Sequence, residues 1–374
     1  MSLQFVHSHD ALQPHSAAIW GVAVTSTNDV LSSSLDGTLA LHASSSSTSL
    51  SDSSPAPGTR LRTWPAHPLA WVSLSVVAAK NAHPEVTKRA LVNSIAGTTV
   101  LVDYTSGDEL GRKMIGEREV GPGTKSGWAE PAWSVSLSSD GKTYASTGAS
   151  GGITVHSAVP SSEAEEGEDS FGTRLAHIPS GRSKFGLHLE CSPVDSTKIA
   201  MSNETGQVFV VDTVKEAVAN SWASHAMPVR SVSWSGDGSL IMSASDDRRL
   251  VLYDARASSS SAVAHLSGHT QSVLSVSLSP GDGRLALSGS RDSTVRVWDV
   301  GMRKAVGVVR EGGAVWSVAW RPVIAGEGAA GGEIEMSDTT VGSGGGGIGG
   351  SGAMGFVTGG EEGVVRWYRG AGMV

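Results

Sequence analysis

Short runs of apolar and β-branched residues recur along the chain, and Ser, Asp and Gly separate them. Between Val273 and Asp299, three such runs follow one another with the sequences VLSVSLSP, LALSGSRD and TVRVWD. Runs of this length and composition predict β-strands joined by tight turns. A lone sheet of such strands leaves apolar faces uncovered, so the pattern predicts several sheets that stack on one another.

The same pattern returns with a fixed period. The preceding stretch carries VRSVSWSGDG, LIMSASDD and RLVLYD in the same order. His225 and His269 open the two units 44 residues apart, and Asp254 and Asp299 close their third runs 45 residues apart. A period of roughly 40–45 residues with a Gly-His start and a Trp-Asp end resembles the WD40 repeat.

Five weaker units extend this repeat over the chain, which makes seven. We therefore predict an all-β fold, a single seven-bladed WD40 β-propeller over residues 1–374. The blades are predicted at residues 15–42, 64–107, 128–157, 181–213, 222–254, 266–299 and 310–368. A propeller stacks its sheets around an axis and so protects their edges.

The two ends of the repeat predict how the ring closes. The chain stops six residues after Tyr368, which leaves the seventh unit one strand short. Residues 3–7 precede the first unit and fit no other, so we expect them to supply the missing strand. Three stretches break the period and are too polar or Gly-rich to pack, which predicts disordered insertions at 43–58, 160–170 and 324–355.

Charge and composition narrow the choice of partners. The net charge is −8, and no stripe of Lys and Arg accompanies the repeat, so we expect no direct contact with nucleic acid. The sequence has one cysteine, Cys191, and neither a signal-peptide pattern nor an apolar run long enough to span a membrane. We expect no membrane partner and a location in the cytoplasm and nucleus.

The WD40 resemblance implies a hydrogen-bonded tetrad of His, Ser, Asp and Trp in a well-formed blade. The matching sets are His269, Ser288, Asp292 and Trp298; His225, Ser243 and Asp247 with Tyr253; and His15, Ser32 and Asp36 with His42. Such residues also suggest a hydrolase triad, but a set that recurs with the blade indicates a structural role. We predict a non-enzymatic protein without catalytic residues, metal site or cofactor.

One position of the repeat predicts a binding surface. The second residue of each inner strand lies at the mouth of the central channel; the seven residues are Trp20, Val72, Trp133, Leu187, Arg230, Leu274 and Trp316. Phe185 and Pro228 lie two residues before Leu187 and Arg230. Trp and Arg are enriched at interface hot spots, so we predict an exposed patch that binds a protein partner. In the alternative, the Trp rings pack between blades.

Several segments resemble a narrower family. HSAAIWGV, PAWSV, GRSKF, HAMPVRSVSWSGDG, SASDD and VWDVGMRKAV are similar to the WD40 subunit of the superkiller complex, described in animals also in the Paf1 complex. The resemblance implies a scaffold that binds a tetratricopeptide-repeat partner and supports an RNA helicase assembly in exosome-linked mRNA decay. For fungi it further implies binding to the meiotic double-strand-break protein.

Two other functions remain as alternatives to the superkiller-type scaffold. Tyr253-Asp254-Ala255-Arg256 resembles the W-D-x-R box of cullin-4 ubiquitin ligase receptors, with Tyr in the place of Trp. The chain would then be a substrate receptor of such a ligase. The other alternative is a generic WD40 interaction scaffold.

Overall fold

The computed structural model describes residues 3–44, 55–65, 67–77, 83–113, 132–160, 162–164, 169–181, 184–257, 261–280, 283–321 and 354–373. These residues form β-strands and one short 3₁₀ turn, Val86–Lys88. No helix in this part of the chain is long and apolar enough to cross a membrane.

The strands form seven antiparallel sheets of four strands each. Blade 1 contains β2 (Ile19–Val24), β3 (Val30–Ser34), β4 (Leu39–His42) and β5 (Arg60–Trp64). Blade 2 contains β6 (Trp71–Val76), β7 (Arg89–Ser94), β8 (Thr99–Asp103) and β9 (Glu109–Lys113). Blade 3 contains β10 (Ala132–Leu137), β11 (Thr143–Gly148), β12 (Ile153–Ser157) and β13 (Arg174–Ile178).

The remaining blades follow the same plan. Blade 4 contains β14 (Gly186–Cys191), β15 (Lys198–Asn203), β16 (Val208–Asp212) and β17 (Ala217–Trp222). Blade 5 contains β18 (Val229–Trp234), β19 (Leu240–Ser245), β20 (Arg249–Asp254) and β21 (Ala264–Ser267). Blade 6 contains β22 (Val273–Leu278), β23 (Leu285–Ser290), β24 (Thr294–Asp299) and β25 (Lys304–Arg310). Blade 7 contains β26 (Val315–Arg321), β27 (Gly355–Gly360), β28 (Val365–Met373) and β1 (Leu3–Asp10).

The core lies between the sheets. Strands β3 and β16 are buried at all five positions, because both faces of a blade pack against its neighbours. Each inner strand lies beside the inner strands of the adjacent blades, and β26 lies beside β2, which completes a ring of seven blades. The architecture is the predicted seven-bladed β-propeller.

The N-terminal strand closes the ring. Strand β1 pairs antiparallel with β28, and its partners include Val6 with Arg369 and His9 with Trp367. The predicted closing strand is therefore confirmed, and it extends three residues further than predicted, to Asp10.

The blades extend further along the chain than the repeat predicted. The predicted ranges of blades 1 to 6 end before their outer strands, β5, β9, β13, β17, β21 and β25. Residue 64, predicted to open blade 2, instead ends β5 in blade 1. Outer strands have one face in solvent; β5, with the sequence RLRTW, alternates between exposed and partly buried positions. Their hydrophobic signal is therefore weaker than that of the inner strands.

All three predicted disordered insertions include ordered residues; in the third, Gly355 is the first residue of β27. Ala43 and Ser44 are buried, and the Ala43 N–H donates to the Thr59 carbonyl at 2.9 Å. The Glu163 carboxylate accepts two hydrogen bonds from buried Arg89, at 2.7 and 2.9 Å. The prediction of disorder was wrong for these residues. It rested on the polar composition of each segment, which carries no information about a specific ion pair or an extended hairpin. Residues 45–54, 161, 165–168 and 324–353 of the insertions lie outside the described part.

Candidate partner-binding face at the channel mouth

In blade 6 the four residues of the predicted tetrad are brought together. The His269 Nε2 lies 2.7 Å from the Ser288 hydroxyl, and its Nδ1 lies 2.9 Å from the Asp292 carboxylate. The Trp298 indole N–H donates to Ser288 at 2.8 Å. This chain of hydrogen bonds fixes the loop before β22 to strands β23 and β24.

Blades 5 and 1 carry variations of this arrangement. His225 lies 2.8 Å from Asp247 and 2.7 Å from Ser243, whose hydroxyl reaches the Tyr253 hydroxyl at 3.3 Å. In blade 1, His15 contacts Ser32 at 2.7 Å, and Ser32 contacts His42 at 2.9 Å. Thr38 lies between His15 and Asp36 there, with its hydroxyl 2.7 Å from His15 and 2.5 Å from Asp36.

The ionisation of the tetrad is consistent with a structural role. Burial lowers the pKa of His269, although the Asp292 carboxylate offsets part of this effect. Burial would raise the pKa of Asp292, but hydrogen bonds from Thr294, Thr270 and His269 outweigh it and lower the pKa to about 2. The ring is held as a neutral imidazole beside a carboxylate, and Ser288 is already shared between His269 and Trp298.

The predicted mouth residues include a continuous row of aromatic rings, which we call the aromatic row: Trp316, Trp20, Trp133 and Phe185. Their centroids are 5.5 Å apart for Trp20 and Trp316, 6.0 Å for Trp20 and Trp133, and 5.7 Å for Trp133 and Phe185. Trp20 and Trp133 belong to blades 1 and 3, and their rings meet across the small Val72 of blade 2. All four side chains are partly buried.

The other predicted mouth residues complete the rim. Arg230 is exposed and donates from Nε and an Nη to Asp246, at 2.9 and 2.6 Å. Val72, Leu187, Pro228 and Leu274 are partly buried. Val72, Leu187, Arg230, Leu274 and the three Trp residues line the channel, whose cavity measures about 1200 Å³. The rings of the patch pack on one another, which leaves them partly buried.

Comparison with known proteins agrees with the repeat. The description "WD domain, G-beta repeat" matches residues 5–42, 218–254 and 260–299. The first segment includes β1 to β4, and the others cover most of blades 5 and 6. This chain is a seven-bladed β-propeller that contains WD40 repeats. WD40 propellers are in general non-enzymatic scaffolds that mediate protein–protein interactions.

Similar curated proteins are WD40 proteins with different roles. The ribosome biogenesis protein YTM1 of Meyerozyma guilliermondii is 41% identical over 22% of this chain and 19% of its own length. The meiotic recombination protein rec14 of Schizosaccharomyces pombe is 29% identical over 33% of this chain and 36% of its own length. The Denticleless protein homolog of Xenopus tropicalis is 28% identical over 38% of this chain and 20% of its own length. The chain therefore aligns with about a fifth to a third of each relative.

Blade 7 of the WD40 ring carries an acidic counterpart of the tetrad that the sequence analysis missed. Glu311 lies four residues before Val315, as His269 lies four before Val273. Its carboxylate accepts hydrogen bonds from Thr358 at 2.8 Å, Tyr368 at 2.9 Å and Arg366 at 2.6 Å. Aligning the seven units by their inner strands, rather than by a search for His, would have revealed it.

The sequence analysis also missed how the WD40 blades are joined around the channel. The Ser75 hydroxyl accepts the N–H of Leu137 at 3.0 Å, and the Ser136 hydroxyl accepts that of Cys191 at 3.0 Å. Equivalent serines connect blade 5 to 6, 6 to 7 and 7 to 1. The recurring Ser-x-Ser spacing on the inner strands is the sequence signal of these bridges.

The described residues contain no group of three or more His, Cys, Asp or Glu side chains placed to hold a metal ion. Cys191 is buried, and burial raises the pKa of its thiol to about 12, so its sulfur is held as an unreactive thiol. The arrangement that remains for function is the mouth of the channel.

Proposed function

We propose that this propeller is a scaffold subunit that captures a segment of a protein partner on the aromatic row. The observation that carries the proposal is the contiguity of Trp316, Trp20, Trp133 and Phe185 on the rim of an open cavity. Aromatic rings of this kind supply a large contact area at low entropic cost.

The polar groups of the rim support the capture of a peptide segment. The indole N–H groups of Trp20 and Trp316 are buried without an acceptor among the described residues, so a partner carbonyl would reach them only if the rings shift. Arg230 keeps 41% of its side chain exposed beside Asp246, which offers both charges to a partner. Specificity would come from the partner's side chains, while the ring stays rigid.

The resemblance to the superkiller WD40 subunit specifies the proposed partner. The protein would bind a tetratricopeptide-repeat scaffold and support a helicase assembly that feeds the exosome in mRNA decay, in the cytoplasm. The similarity to a protein named for meiotic recombination supports a second role with the double-strand-break protein, in the nucleus. A Paf1-type transcription role is the third branch of this proposal.

A cullin-4 receptor is the second candidate. Arg256 of the Tyr-Asp-Ala-Arg box keeps 73% of its side chain exposed. The box begins with the last two residues of β20, which runs away from the channel mouth, so it lies at the end of the blade opposite the aromatic row. A ligase adaptor would therefore bind a different surface of the propeller from the one that carries the aromatic row.

Affinity capture with paired variants separates the two candidates. We expect Trp133→Ala with Arg230→Glu to abolish capture of the repeat scaffold, because two hot-spot losses of ~2–4 kcal/mol each lower affinity by several orders of magnitude. The control is Val308→Ser, at an exposed position of an outer strand. Thermal unfolding checks that the fold persists. Capture of a ligase adaptor that is lost in Arg256→Ala would favour the receptor instead.

A further inference from the structure

Two inner strands lack serine at both bridging positions: β2 carries Gly21 and Ala23, which have no polar side chain, and β14 carries two ionisable residues. The third and fifth residues of an inner strand bridge to the next blade, and on β14 these residues are His188 and Glu190. His188 Nδ1 accepts the N–H of Val232 at 3.3 Å, and a Glu190 carboxylate oxygen accepts that of Trp234 at 3.1 Å. The seam between blades 4 and 5 thus makes the same two bridges with two ionisable groups.

Both groups lie in the channel wall. Their side chains line the cavity and are partly buried in its wall. The Ser233 hydroxyl also hydrogen bonds to Glu190, and it accepts the N–H of Leu278 from blade 6. Glu190 is therefore connected to two successive seams of the ring.

No cation compensates Glu190 among the described residues that pack against its strand. Strand β10 carries no ionisable side chain, and Tyr144 of β11 is a phenol. Lys198 of β15 pairs with Asp212, and Arg230 of β18 pairs with Asp246. The other ionisable groups on the channel wall are His83, Asp140 and the thiol of Cys191, none of which is a fixed cation.

We propose that the seam between blades 4 and 5 is a proton-dependent joint, held most firmly when Glu190 is protonated and His188 is neutral. Burying a carboxylate without a cation costs free energy, whereas the protonated acid still accepts the Trp234 N–H through its carbonyl oxygen. Neutral His188 keeps an unprotonated Nδ1 for Val232; the imidazolium would lose that acceptor.

The pKa values of the two groups agree with this geometry. Burial raises the pKa of Glu190 from 4.5 to about 8, against opposing hydrogen bonds from Trp234 and Ser233. Burial lowers the pKa of His188 from 6.5 to about 4. Stability from Glu190 is complete below its unfolded pKa and is lost as the pH rises toward 8; stability from His188 is lost as the pH falls below 6.5. Between pH 6.5 and 8, Glu190 is the only one of the two groups whose contribution to stability changes with pH.

The joint lies beneath one part of the channel mouth. Strand β14 follows directly on Phe185 and carries Leu187, and β18 carries Arg230. Loosening of this seam at alkaline pH would therefore shift one side of the rim against the other. This step does not depend on the identity of the partner.

Urea unfolding from pH 5 to 8.5 tests the joint on four full-length proteins: the wild type, Glu190→Ser, His188→Ser and the double variant. Serine is the residue at both positions in blades 2, 3, 5 and 6, and it keeps a hydrogen-bond acceptor while it removes the titration. Between pH 6.5 and 8 we expect the wild type to lose stability relative to Glu190→Ser with a slope close to one proton per molecule. His188→Ser should already lose stability from about pH 5 upward.

The outcome that overturns the proposal is a pH dependence in Glu190→Ser that runs parallel to that of the wild type. If Glu190→Ser does not fold, Glu190→Gln replaces it and keeps the shape of the protonated acid. Infrared spectroscopy gives an independent readout. We expect a protonated carboxylic acid band at pH 7 that is absent from Glu190→Gln, and a wild type without that band would also overturn the proposal.

Discussion

The Tyr368 hydroxyl donates a hydrogen bond of 2.9 Å to Glu311, which takes in blade 7 the place that His269 takes in blade 6. The Glu311 side chain is only 4% exposed, and Arg366 is its counter-ion. Arg366 also contacts Glu362 and lies 3.5 Å from Asp10 of the N-terminal strand. The blade that joins the two ends of the chain therefore uses a charged cluster where blades 1, 5 and 6 use a His.

Removing the charge of Glu311 should weaken the closing blade. Glu311→Gln leaves the largely buried Arg366 without its main counter-ion, and we expect a loss of about 2–3 kcal/mol in the free energy of unfolding. Tyr368→Phe should cost about 1 kcal/mol, since Thr358 and Arg366 still satisfy the carboxylate. Urea unfolding measures both. Glu362→Gln, at a side chain 40% exposed, is the control and should cost less than about 0.5 kcal/mol; an equal loss in both Glu variants would contradict the cluster.

The tetrad of blade 6 should act as one unit. His269→Ala and Asp292→Ala should each cost about 1–3 kcal/mol, because each leaves a buried polar group without its partner. The double variant should cost less than the sum, because the two groups are directly bonded. The control pairs His269→Ala with Asp247→Ala of blade 5, and these losses should add within about 0.5 kcal/mol. Strict additivity for His269 and Asp292 would refute their coupling.

Deleting residues 1–10 should destabilise the ring more than its short length suggests. The deletion removes all of β1, including the contact between Phe5 and Phe356 at 5.1 Å, and exposes the edge of β28. We expect the melting temperature to fall by at least about 10 °C and aggregation to increase. Val6→Ala, at an exposed position of β1, should change it by about 1 °C. A truncated protein that melts like the full chain would show that β1 contributes little to closure.

Removing residues 324–352 should leave the fold intact. Arg321 and Gly355 are cross-strand partners in β26 and β27, so a four-residue loop of residues 322, 323, 353 and 354 can join them. A shorter loop has a smaller entropic cost of closure. We therefore expect the free energy of unfolding to stay unchanged or to rise by up to about 2 kcal/mol. Thermal unfolding and partner capture are measured together. Lost capture at unchanged melting would assign the Gly-rich segment to the interface.

The repeat itself was readable from the chain because a blade needs the same features wherever it occurs. Apolar runs bounded by Ser, Asp and Gly gave the inner strands of all seven blades, and the His–Asp spacing gave the tetrads of His269 and His225. The unassigned residues 3–7 indicated the closing strand. The strand and tetrad signals are local, so each is specified within one repeat of about 45 residues. The closing strand followed instead from a comparison of the first and last units.

Other features depend on neighbours that are distant in the sequence, and the tertiary structure alone decided them. Trp20 and Trp133 touch because Val72, on the blade between them, is small. Glu163 is ordered because Arg89 of another blade is buried beside it. The pKa of Glu190 is raised because the packing of two blades partly buries it without a cation. Sequence patterns specify which face of a strand is buried, but packing between blades sets the distances and the solvation on which binding and ionisation depend.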